Sequence, residues 1–392
     1  MQPLAGVTVV TLEHAIAAPL ATRHLADLGA RVIKVERPGT GDFARGYDER
    51  VRGLSSHFVW TNRGKESLTL DLKHPEALGV LRRLVMERAD VLVQNLAPGA
   101  AARLGLDHAS LAPEKPGLIV CDISGYGADG PYRDKKAYDL LIQSEAGVLS
   151  VTGTPEEPVK TGISVADIAA GMYAYSNILA ALIERARTGR GRRIDVSMLE
   201  SLVEWMSYPL YYAFDGASPP ERTGARHATI YPYGPFPARD GATVMLGIQN
   251  EREWAAFCDK VLARPELASD PRFASVSKRA AAREQLAPII AAAFSRLSAD
   301  ELVRRLDAAQ IANARVNDMR GVWAHPQLRA RERWRDVDTP AGTVPAPAPP
   351  GIPAEDARMD PVPALGEHTE AILRELGLDE AGVARLRAAK AI

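Results

Sequence analysis

Hydrophobic positions in the first part of the chain fall alternately into short continuous runs and into helical spacing. Residues 6–13 (GVTVVTLE) form a short β-branched run, and residues 30–36 (ARVIKVE) form another. Between them a helical pattern has Pro19 in its first turn and ends at Gly29, which are favourable residues at the start and stop of a helix. A strand, a helix and a strand within about 30 residues are typical of a βαβ unit with parallel strands and a right-handed crossover.

The same alternation continues along the chain and extends the predicted sheet. Further strands are expected at residues 67–72, 89–96 and 118–125, with helices at residues 74–88 and 100–104. We therefore predict an α/β fold built on a Rossmann-like, doubly wound parallel sheet. In open sheets of this kind, ligands bind at the carboxyl ends of the strands.

Dinucleotide binding is the first hypothesis for such a sheet, and the first turn argues against it. The Rossmann fingerprint uses glycines to bring the backbone close to a pyrophosphate, whereas residues 13–19 read EHAIAAP. Glu36 ends the second predicted strand, where a ribose ligand is expected, but the glycines that would support this role are absent. We therefore do not expect a nicotinamide cofactor.

The rest of the chain indicates a second, smaller domain and a return to the first. Residues 222–325 show strands followed by helices, as in an α+β domain, and Ser298 is a favourable helix start before Ala299-Asp300-Glu301. Residues 339–353 are proline-rich, as in an extended connection. The predicted organisation is a large domain of residues 1–200 and 330–392, a small domain of residues 222–325, and linkers at residues 201–221 and 326–365.

Composition and charge narrow the class of function. Lys and Arg total 48 against 49 Asp and Glu, so a net charge of −1 provides no basic field for nucleic acid or anionic membranes. No stretch reaches the ~20 apolar residues that cross a bilayer, and the N-terminus lacks the pattern of a signal peptide. Cys121 and Cys258 are far apart, which favours a reducing compartment without a disulfide or zinc site. We expect a cytoplasmic protein that binds small molecules and no metal.

Three basic residues lie just beyond predicted strand ends. Arg37 follows the second strand, Lys73 follows the third, and Arg103 follows the turn after the fourth. If they converge, they suit a phosphorylated cofactor, because guanidinium and ammonium groups pair with phosphate oxygens. Taken singly, each is more simply a solvated loop charge.

Asp167 lies at the start of a long apolar helical pattern that ends near Gly189. Two interpretations of this carboxylate are open. Residues 164–167 (SVAD) match the S-x-x-D form of a capping box, in which the acid bonds back to the backbone. Alternatively, Asp167 is a nucleophile, ionised at neutral pH without help and favoured by the helix dipole. Only the second interpretation predicts a cleft around it.

A series of short motifs in the chain is modest singly and specific in combination. The motifs are residues 25–42, 62–73, 93–106, 123–132 (ISGYGADGPY), 137–147 and 162–174 (GISVADIAAGMYA), with further similarity at 187–201, 240–246 and 365–377. In this order they resemble a family III CoA-transferase, of the formyl-CoA and carnitine CoA-transferase type. The resemblance implies a Rossmann-like large domain, a smaller domain and a homodimer whose chains interlock like linked rings.

The resemblance also implies a mechanism and a set of site residues. Asp167 matches the catalytic aspartate, which in this family forms first an aspartyl acyl anhydride and then an aspartyl-CoA thioester. The implied substrates are an acyl-CoA and a carboxylic acid, and coenzyme A is the cofactor. The positions that match CoA-binding residues are His14, Ala15, Ile16, Arg37, Leu70, Lys73, Asn95, Leu96, Arg103, Lys136, Tyr138 and Asp139.

The chain departs from the family pattern at two places. Ile16 stands where glutamine is more typical, and residues 222–236 hold few glycines where the family has a glycine-rich loop that protects the intermediate. His227, in that segment, becomes a candidate for contact with the acceptor acid.

Two other functions remain to be weighed against CoA transfer. α-Methylacyl-CoA racemases of the same fold family carry Gly-His-Asp where residues 137–139 read AYD. A tyrosine hydroxyl, which ordinarily ionises near pH ~10, is a poor base for moving an α-proton. A CoA-binding regulatory protein without turnover is the second alternative, and the intact Asp167 argues against it.

The substrate is suggested by two segments. Residues 47–73 and 226–236 resemble the branch that handles itaconate, mesaconate or citramalate with succinyl-CoA as donor. A second carboxylate needs a cation or N–H donors. The candidates for this contact, any of which is also compatible with a surface position, are Arg45, Arg50, Arg52 and His227. Formate, oxalate and carnitine remain alternative acceptors.

Overall fold

The structure, a computed structural model, describes residues 2–392, which form two compact units. The first unit contains the chain up to Gly147, together with Thr161–Ser207 and Pro326–Ile392. The second unit contains Val148–Lys160 and Tyr208–His325. Residues 148–160 therefore belong to the second unit, although the predicted large domain included them.

A six-stranded parallel sheet, counted within residues 2–392, forms the centre of the first unit. Its strands are β1 (Thr8–Leu12), β2 (Arg31–Glu36), β3 (Lys65–Thr69), β4 (Val91–Gln94), β5 (Ile119–Ser124) and β6 (Arg193–Ser197). Their order across the sheet is β3-β2-β1-β4-β5-β6. The predicted parallel α/β sheet is confirmed. The other strands are β7 (Tyr233–Pro237), β8 (Thr243–Gly247), β9 (Ala312–Arg315), β10 (Trp334–Val337) and β11 (Val344–Pro347).

The α-helices surround these sheets. In chain order they are α1 (Ala17–Asp27), α2 (Ser56–Asn62), α3 (Pro75–Arg88), α4 (Ala100–Arg103), α5 (His108–Leu111), α6 (Asp139–Glu145), α7 (Val148–Val151), α8 (Val165–Thr188), α9 (Met198–Trp205), α10 (Ser207–Tyr212), α11 (Glu251–Ala256), α12 (Val276–Ala281), α13 (Arg283–Phe294), α14 (Ala299–Ala308), α15 (Met319–Trp323), α16 (Pro326–Ala330), α17 (Thr369–Glu375) and α18 (Glu380–Ala388). The linkers predicted at 201–221 and 326–365 thus contain helices and the β10–β11 hairpin.

The two faces of the central sheet are buried in different ways. On one face, Val10, Ile33 and Leu68 join a hydrophobic core that continues into α3, α17 and α18. On the other face, the alternate residues Lys34 and Lys65 are also buried, although they are charged. Because both faces are covered, these charged side chains lie beside buried apolar ones such as Val9 and Val32, and not at a solvent face.

Helix α8 packs against α1, β5 and β6. A glycine in α8 makes close approach to α1 possible, because a Cβ added at Gly171 would come within 2.7 Å of the backbone oxygen of Ala17. By length and composition alone α8 could cross a membrane. Its buried face, which includes Ala170, Ala174 and Ile178, makes it a core helix of this unit.

The second unit has its own core. Strands β7, β8 and β9 form an antiparallel sheet, and helices α13 and α14 pack against it. Aromatic residues dominate the interior, where Trp254, Phe257, Phe273 and Phe294 are almost fully buried. Ser298 starts α14 with a complete capping box to Glu301, so the predicted helix start is confirmed.

Candidate active site

Asp167 lies in the first turn of α8 and is half-buried. The capping-box prediction for this residue is wrong. Within residues 2–392, the Ser164 side chain makes no hydrogen bond that caps α8. Asp139 supplies the cap instead, because its Oδ1 accepts a hydrogen bond of 2.8 Å from the Ala166 N–H. A residue of α6 therefore satisfies the start of α8, and the Asp167 carboxylate is left for other contacts.

Asp139 is held in place by a buried amide. The Nε2 of Gln143 donates to Asp139 Oδ2 over 2.7 Å. The Oε1 of Gln143 accepts from the backbone N–H of Thr161 over 2.9 Å, and Gln143 itself is fully buried. These contacts fix a negative charge close to Asp167.

The pKa of Asp167 is raised to about 7. Burial of the carboxyl group is the main cause, and the neighbouring Asp139 charge adds to it, while an interaction with the Ala17 backbone N–H acts in the opposite direction. The expectation that Asp167 ionises at neutral pH without help is therefore wrong. A poorly solvated carboxylate with a raised pKa is a stronger base and nucleophile than an exposed one, once it is ionised.

The start of α1 brings one backbone N–H group, that of Ala17, to the Asp167 carboxylate. Ile16 is the N-cap residue of α1, and no side chain within the described residues caps the helix. Ala15 has a left-handed backbone, with φ of 63°. The turn is tied to the end of β4, because Asn95 accepts from the His14 N–H and donates to the His14 oxygen, each over 2.9 Å. Unpaired N–H groups at a helix start are suitable donors for an oxyanion.

A buried network of ion pairs holds this turn in place. Asp42 accepts from the Ala15 N–H over 3.2 Å and from Lys34 Nζ over 2.7 Å. Lys65 Nζ donates to Glu13 over 2.6 Å, and Glu13, Lys34 and Asp42 are fully buried. Although burial opposes it, the charges of Lys65 and Lys34 lower the pKa of Glu13 to about 2. Glu13 therefore stays ionised at neutral pH, whereas burial lowers the pKa of Lys65 to about 7. The hydrogen bonds of this network hold the turn before α1 in place.

Aromatic side chains surround the same turn. The His14 ring stacks on Phe43 at 5.4 Å, and Tyr47 lies beside Phe43 at 5.7 Å. Burial, together with the charges of Asp42 and Asp167, raises the pKa of Tyr47 to about 12. Tyr47 therefore belongs to the surroundings of Asp167, which sequence reasoning missed. The available signal was an aromatic pair four residues apart in the loop that follows β2.

Two cavities hold residues that were predicted to bind CoA. Arg37 and Lys73 line a cavity of about 540 Å³ beyond the ends of β2 and β3, which we call the edge cavity. Leu96 and Arg103 line a second cavity of about 570 Å³ beyond β4 and β5. The three predicted cations are therefore brought together only in part, because Arg103 lies in the second cavity. Neither set of described lining residues includes Asp167.

The other predicted CoA-binding positions differ in exposure. Leu70 is buried in the core, and Ile16 is buried at the start of α1, so these side chains face away from solvent. Lys136 and Tyr138 are exposed just before α6, and Tyr138 contributes to the raised pKa of Tyr47.

The candidate substrate residues of the first unit differ in how firmly their side chains are held. Arg45 makes a bidentate ion pair with buried Glu36, at 2.8 and 2.7 Å, and lies over the ring of Phe58. Its guanidinium is thus engaged by the fold. Arg50 and Arg52 are exposed in the loop before α2.

His227 belongs to the second unit. Its Nδ1 accepts from the N–H groups of Thr229 and Ile230, over 3.2 and 3.1 Å, and its ring stacks on Tyr233 at 5.1 Å. These contacts organise the turn from residue 227 to 233 and occupy Nδ1 of the ring. Within residues 2–392 there is no cluster of three His, Cys, Asp or Glu residues that could hold a metal ion.

Comparisons with known proteins agree on one family. A family model described as CoA-transferase family III matches residues 4–369. A succinate–glutarate CoA-transferase of Agrobacterium fabrum is 36% identical over 386 residues, which cover 95% of this chain and 96% of that protein. The human succinyl-CoA:glutarate CoA-transferase is 32% identical, covering 99% of this chain and 90% of the human one.

A further relative and a solved structure are also similar to this chain. A succinyl-CoA–D-citramalate CoA-transferase of Chloroflexus aurantiacus is 32% identical over 100% of this chain and 98% of its own. A crystal structure of a CAIB/BAIF family protein from Brucella suis superposes with a TM-score of 0.83 at 36% identity, covering 96% of this chain and 99% of that one. The similarity therefore extends over both units of the chain.

Proposed function

The chain belongs to CoA-transferase family III, and from that membership we propose that it moves CoA from succinyl-CoA to a short-chain dicarboxylic acid, with Asp167 as nucleophile. One observation carries the choice of nucleophile. Asp139 caps α8, which leaves the half-buried Asp167 carboxylate beside the Ala17 N–H at the start of α1. A carboxylate of raised pKa in such surroundings is typical of a catalytic group.

In the first half-reaction, a carboxylate oxygen of Asp167 attacks the thioester carbon of succinyl-CoA. A C–O bond forms, the C–S bond breaks, and CoA leaves as the thiolate, which gives an aspartyl succinyl anhydride. The thiolate then attacks the Asp167 acyl carbon. Succinate leaves, and an aspartyl-CoA thioester remains on the enzyme.

The second half-reaction reverses these steps with the acceptor. A carboxylate oxygen of the acceptor attacks the aspartyl thioester and expels the CoA thiolate, so a second anhydride forms. The thiolate attacks the acceptor carbonyl carbon, which yields the new CoA thioester and returns Asp167 as a carboxylate. Holding carboxylate, thioester and thiolate together supplies much of the rate, because effective molarities in such arrangements reach ~10⁵ M or more.

Two neighbours of Asp167 are given roles in these steps. We assign the Ala17 N–H to the oxyanion that develops on the Asp167 acyl carbon, and its interaction with the carboxylate supports that role. The fixed charge of Asp139 keeps the basicity of Asp167 high. Asp139 thus acts through Asp167 and is a positioning residue.

The names of the relatives guide the choice of acceptor. Those we compared are named for glutarate and D-citramalate with a succinyl donor. We propose the same class here, namely itaconate, mesaconate, citramalate or glutarate. Arg52 and His227 remain the candidate contacts for the second carboxylate, since Arg45 is engaged by Glu36.

Racemisation of an α-methylacyl-CoA is less consistent with the geometry. That reaction needs one base on each face of the substrate. Asp139 accepts hydrogen bonds from the Ala166 N–H and from Gln143, which gives it a capping role. These contacts favour CoA transfer over proton transfer at this site.

We also propose a homodimer, which the resemblance implies. A run of large apolar side chains in and just after α10 is exposed in the single chain, with Tyr208 at 52%, Tyr211 at 79% and Phe214 at 73%. Exposed apolar surface of this kind marks an interaction site. A second copy of the chain is the partner we propose for it.

Measuring transfer from succinyl-CoA to a panel of acids tests the substrate class. We expect one of the four dicarboxylates to have the highest kcat/KM, with formate, oxalate and carnitine well below it. An outcome in which formate, oxalate or carnitine exceeds all four would overturn the substrate assignment.

The role of the nucleophile is tested by substitution. Asp167→Asn should lower kcat by at least about 10³-fold. The matched control is Asp336→Asn, at an exposed position on β10, and it should remain active.

Isotope transfer tests the anhydride directly. With an acceptor labelled with ¹⁸O in its carboxylates, the bridging oxygen of the second anhydride is left on Asp167. Mass spectrometry of the peptide that contains residue 167 should therefore show a gain of about 2 Da after one turnover and of up to about 4 Da after many, because each turnover exchanges one of the two carboxylate oxygens. Turnover that leaves this peptide unlabelled would exclude the mechanism, even if the substrate class is right.

A further inference from the structure

The edge cavity is strongly basic. Arg37 and Lys73 come from the loops after β2 and β3. The cavity is also lined by Arg387, in the last turn of α18, and by Lys390, just after that helix. Asp71 is the one acidic side chain among the described residues that line it. Four cations from three distant parts of the chain therefore face one space of about 540 Å³. Glu370 pairs with Arg387, but with Asp71 included the cations still outnumber the acids around the cavity, so it suits an anion.

The position of Arg387 and Lys390 is fixed by the backbone. The Asp71 N–H donates to the Ala391 oxygen over 2.8 Å, just beyond the end of β3. Ala391 is fully buried, and Leu386 belongs to the core of the sheet. The segment that follows α18 is thus attached to the carboxyl end of β3, where open α/β sheets bind ligands.

A simpler explanation accounts for only part of this arrangement. Basic residues are favourable in the last turn of any helix, because they interact with the helix dipole. Arg385 and Arg387 both fit that explanation, and they pair with Glu76 and Glu370, respectively. The dipole does not explain why Arg387 and Lys390 line the same cavity as Arg37 and Lys73, whereas Arg385 does not belong to the described lining.

We propose that Arg387 and Lys390 bind the 3′-phosphate of the CoA nucleotide in the edge cavity, together with Arg37 and Lys73. The proposal rests on the proposed function in that CoA is the ligand. It adds α18 and the residues just after it to the cofactor site. Neither the sequence motifs nor the predicted CoA-binding positions included this part of the chain.

The place of the cavity in the sheet favours the 3′-phosphate over the diphosphate. Asp167 lies near the start of α1, which follows β1, while the edge cavity lies at β2 and the edge strand β3. The thioester and the 3′-phosphate are at opposite ends of the cofactor, so the outermost site suits the terminal group. A phosphomonoester is also a dianion with three free oxygens, which four cations can contact together.

The test compares CoA with 3′-dephospho-CoA as thioester substrates. We expect Arg387→Gln and Lys390→Gln each to raise the KM for succinyl-CoA about fivefold, and the double variant about twentyfold. The same substitutions should change the KM for succinyl-dephospho-CoA less than twofold. Arg385→Gln, two positions before Arg387 on the same helix, is the matched control and should change neither KM. Equal increases of KM with both thioesters would overturn the proposal.

A binding measurement separates this proposal from the proposed function. Calorimetry with adenosine 3′,5′-bisphosphate needs no acceptor acid and no turnover. We expect the wild-type protein to bind it at least about tenfold more tightly than adenosine 5′-monophosphate, and Lys390→Gln to remove most of that preference. If no acid is converted but this preference is present and depends on Lys390, the cofactor site stands while the proposed reaction fails. A wild-type protein without the preference would exclude the 3′-phosphate site, whatever its activity.

Discussion

At the scale of single residues, the ionisation of Asp167 connects its surroundings with the rate of reaction. Only the carboxylate can attack a thioester, and the pKa of this group is raised to about 7 by burial and by Asp139. We therefore expect kcat/KM to rise with pH along an acid limb centred near 7, since this parameter reports groups of the free enzyme. The pH profile of transfer from succinyl-CoA, measured at low substrate, gives the midpoint.

The Asp139→Asn variant is the companion to that profile. The asparagine oxygen can still accept from the Ala166 N–H, so the cap of α8 is kept, but the negative charge that raises the Asp167 pKa is removed. The acid limb should move to lower pH. A limb that stays in place would show that Asp139 does not set the ionisation of Asp167.

The same pKa shift has a consequence for stability. An aspartate in the unfolded chain titrates near pH ~3.9, so between about pH 4 and 7 the folded state holds the Asp167 proton more tightly than the unfolded state does. The stabilisation from this group is complete below pH ~4 and is lost as pH rises through 7. Asp167→Asn should thus raise the free energy of unfolding by about 1–2 kcal/mol at pH 8, after allowance for partial solvent access, and by little at pH 4.

Denaturant unfolding at pH 4 and pH 8 checks this expectation. Asp336→Asn, at an exposed site, should leave the free energy of unfolding unchanged at both values. An Asp167→Asn protein that is less stable than wild type at pH 8 would contradict the raised pKa. A gain of stability on removal of a catalytic group is common, because active sites hold poorly solvated charges.

At the scale of secondary-structure elements, two similar sequences behave differently. Ser298 and Glu301 form the capping box that their spacing predicts, whereas Ser164 and Asp167 do not. The second cap comes from Asp139, which lies 27 positions before Ala166, the residue whose N–H it accepts. Spacing describes neighbours along one helix, and it contains no information about a side chain that a different helix brings to the same place.

The strands show a similar limit. The apolar runs predicted β1 to β5 to within a few residues, because these strands are buried on both sides. The elements were therefore predictable from hydrophobic pattern alone. The buried pairs of Lys34 with Asp42 and of Lys65 with Glu13 were not, since charged residues at alternate positions of a strand ordinarily indicate a solvent face.

The contact between α1 and α8 gives a prediction at this scale. Gly171→Ala would place a Cβ about 2.7 Å from the Ala17 backbone oxygen, so α1 must move away from Asp167. We expect a loss of about 2–3 kcal/mol in the free energy of unfolding and a fall in kcat of at least about tenfold. Thermal unfolding and transferase assays measure the two effects.

Gly79→Ala is the matched control in another helix. Apart from its chain neighbours and the backbone of its own helix, no atom of residues 2–392 lies within 4 Å of a Cβ added at Gly79, which is exposed in α3. Because alanine has the higher helix propensity, this variant should be about 0.5–1 kcal/mol more stable than wild type and fully active. If both variants behaved alike, helix propensity rather than the contact with Ala17 would explain the result.

At the scale of the whole molecule, the proposed interlocked dimer makes a kinetic prediction. Chains threaded through each other like rings separate only when one unfolds, so mixing tagged and untagged dimers should give no mixed dimer over days at native pH. Mixed dimers should form after unfolding in denaturant and refolding together, as affinity capture and native mass spectrometry would show. Exchange within minutes without denaturant would contradict interlocking.

The proposed role of the exposed side chains near α10 is tested by Tyr211→Glu. This variant should lower the yield of dimer after refolding, because a buried charge without a partner opposes assembly.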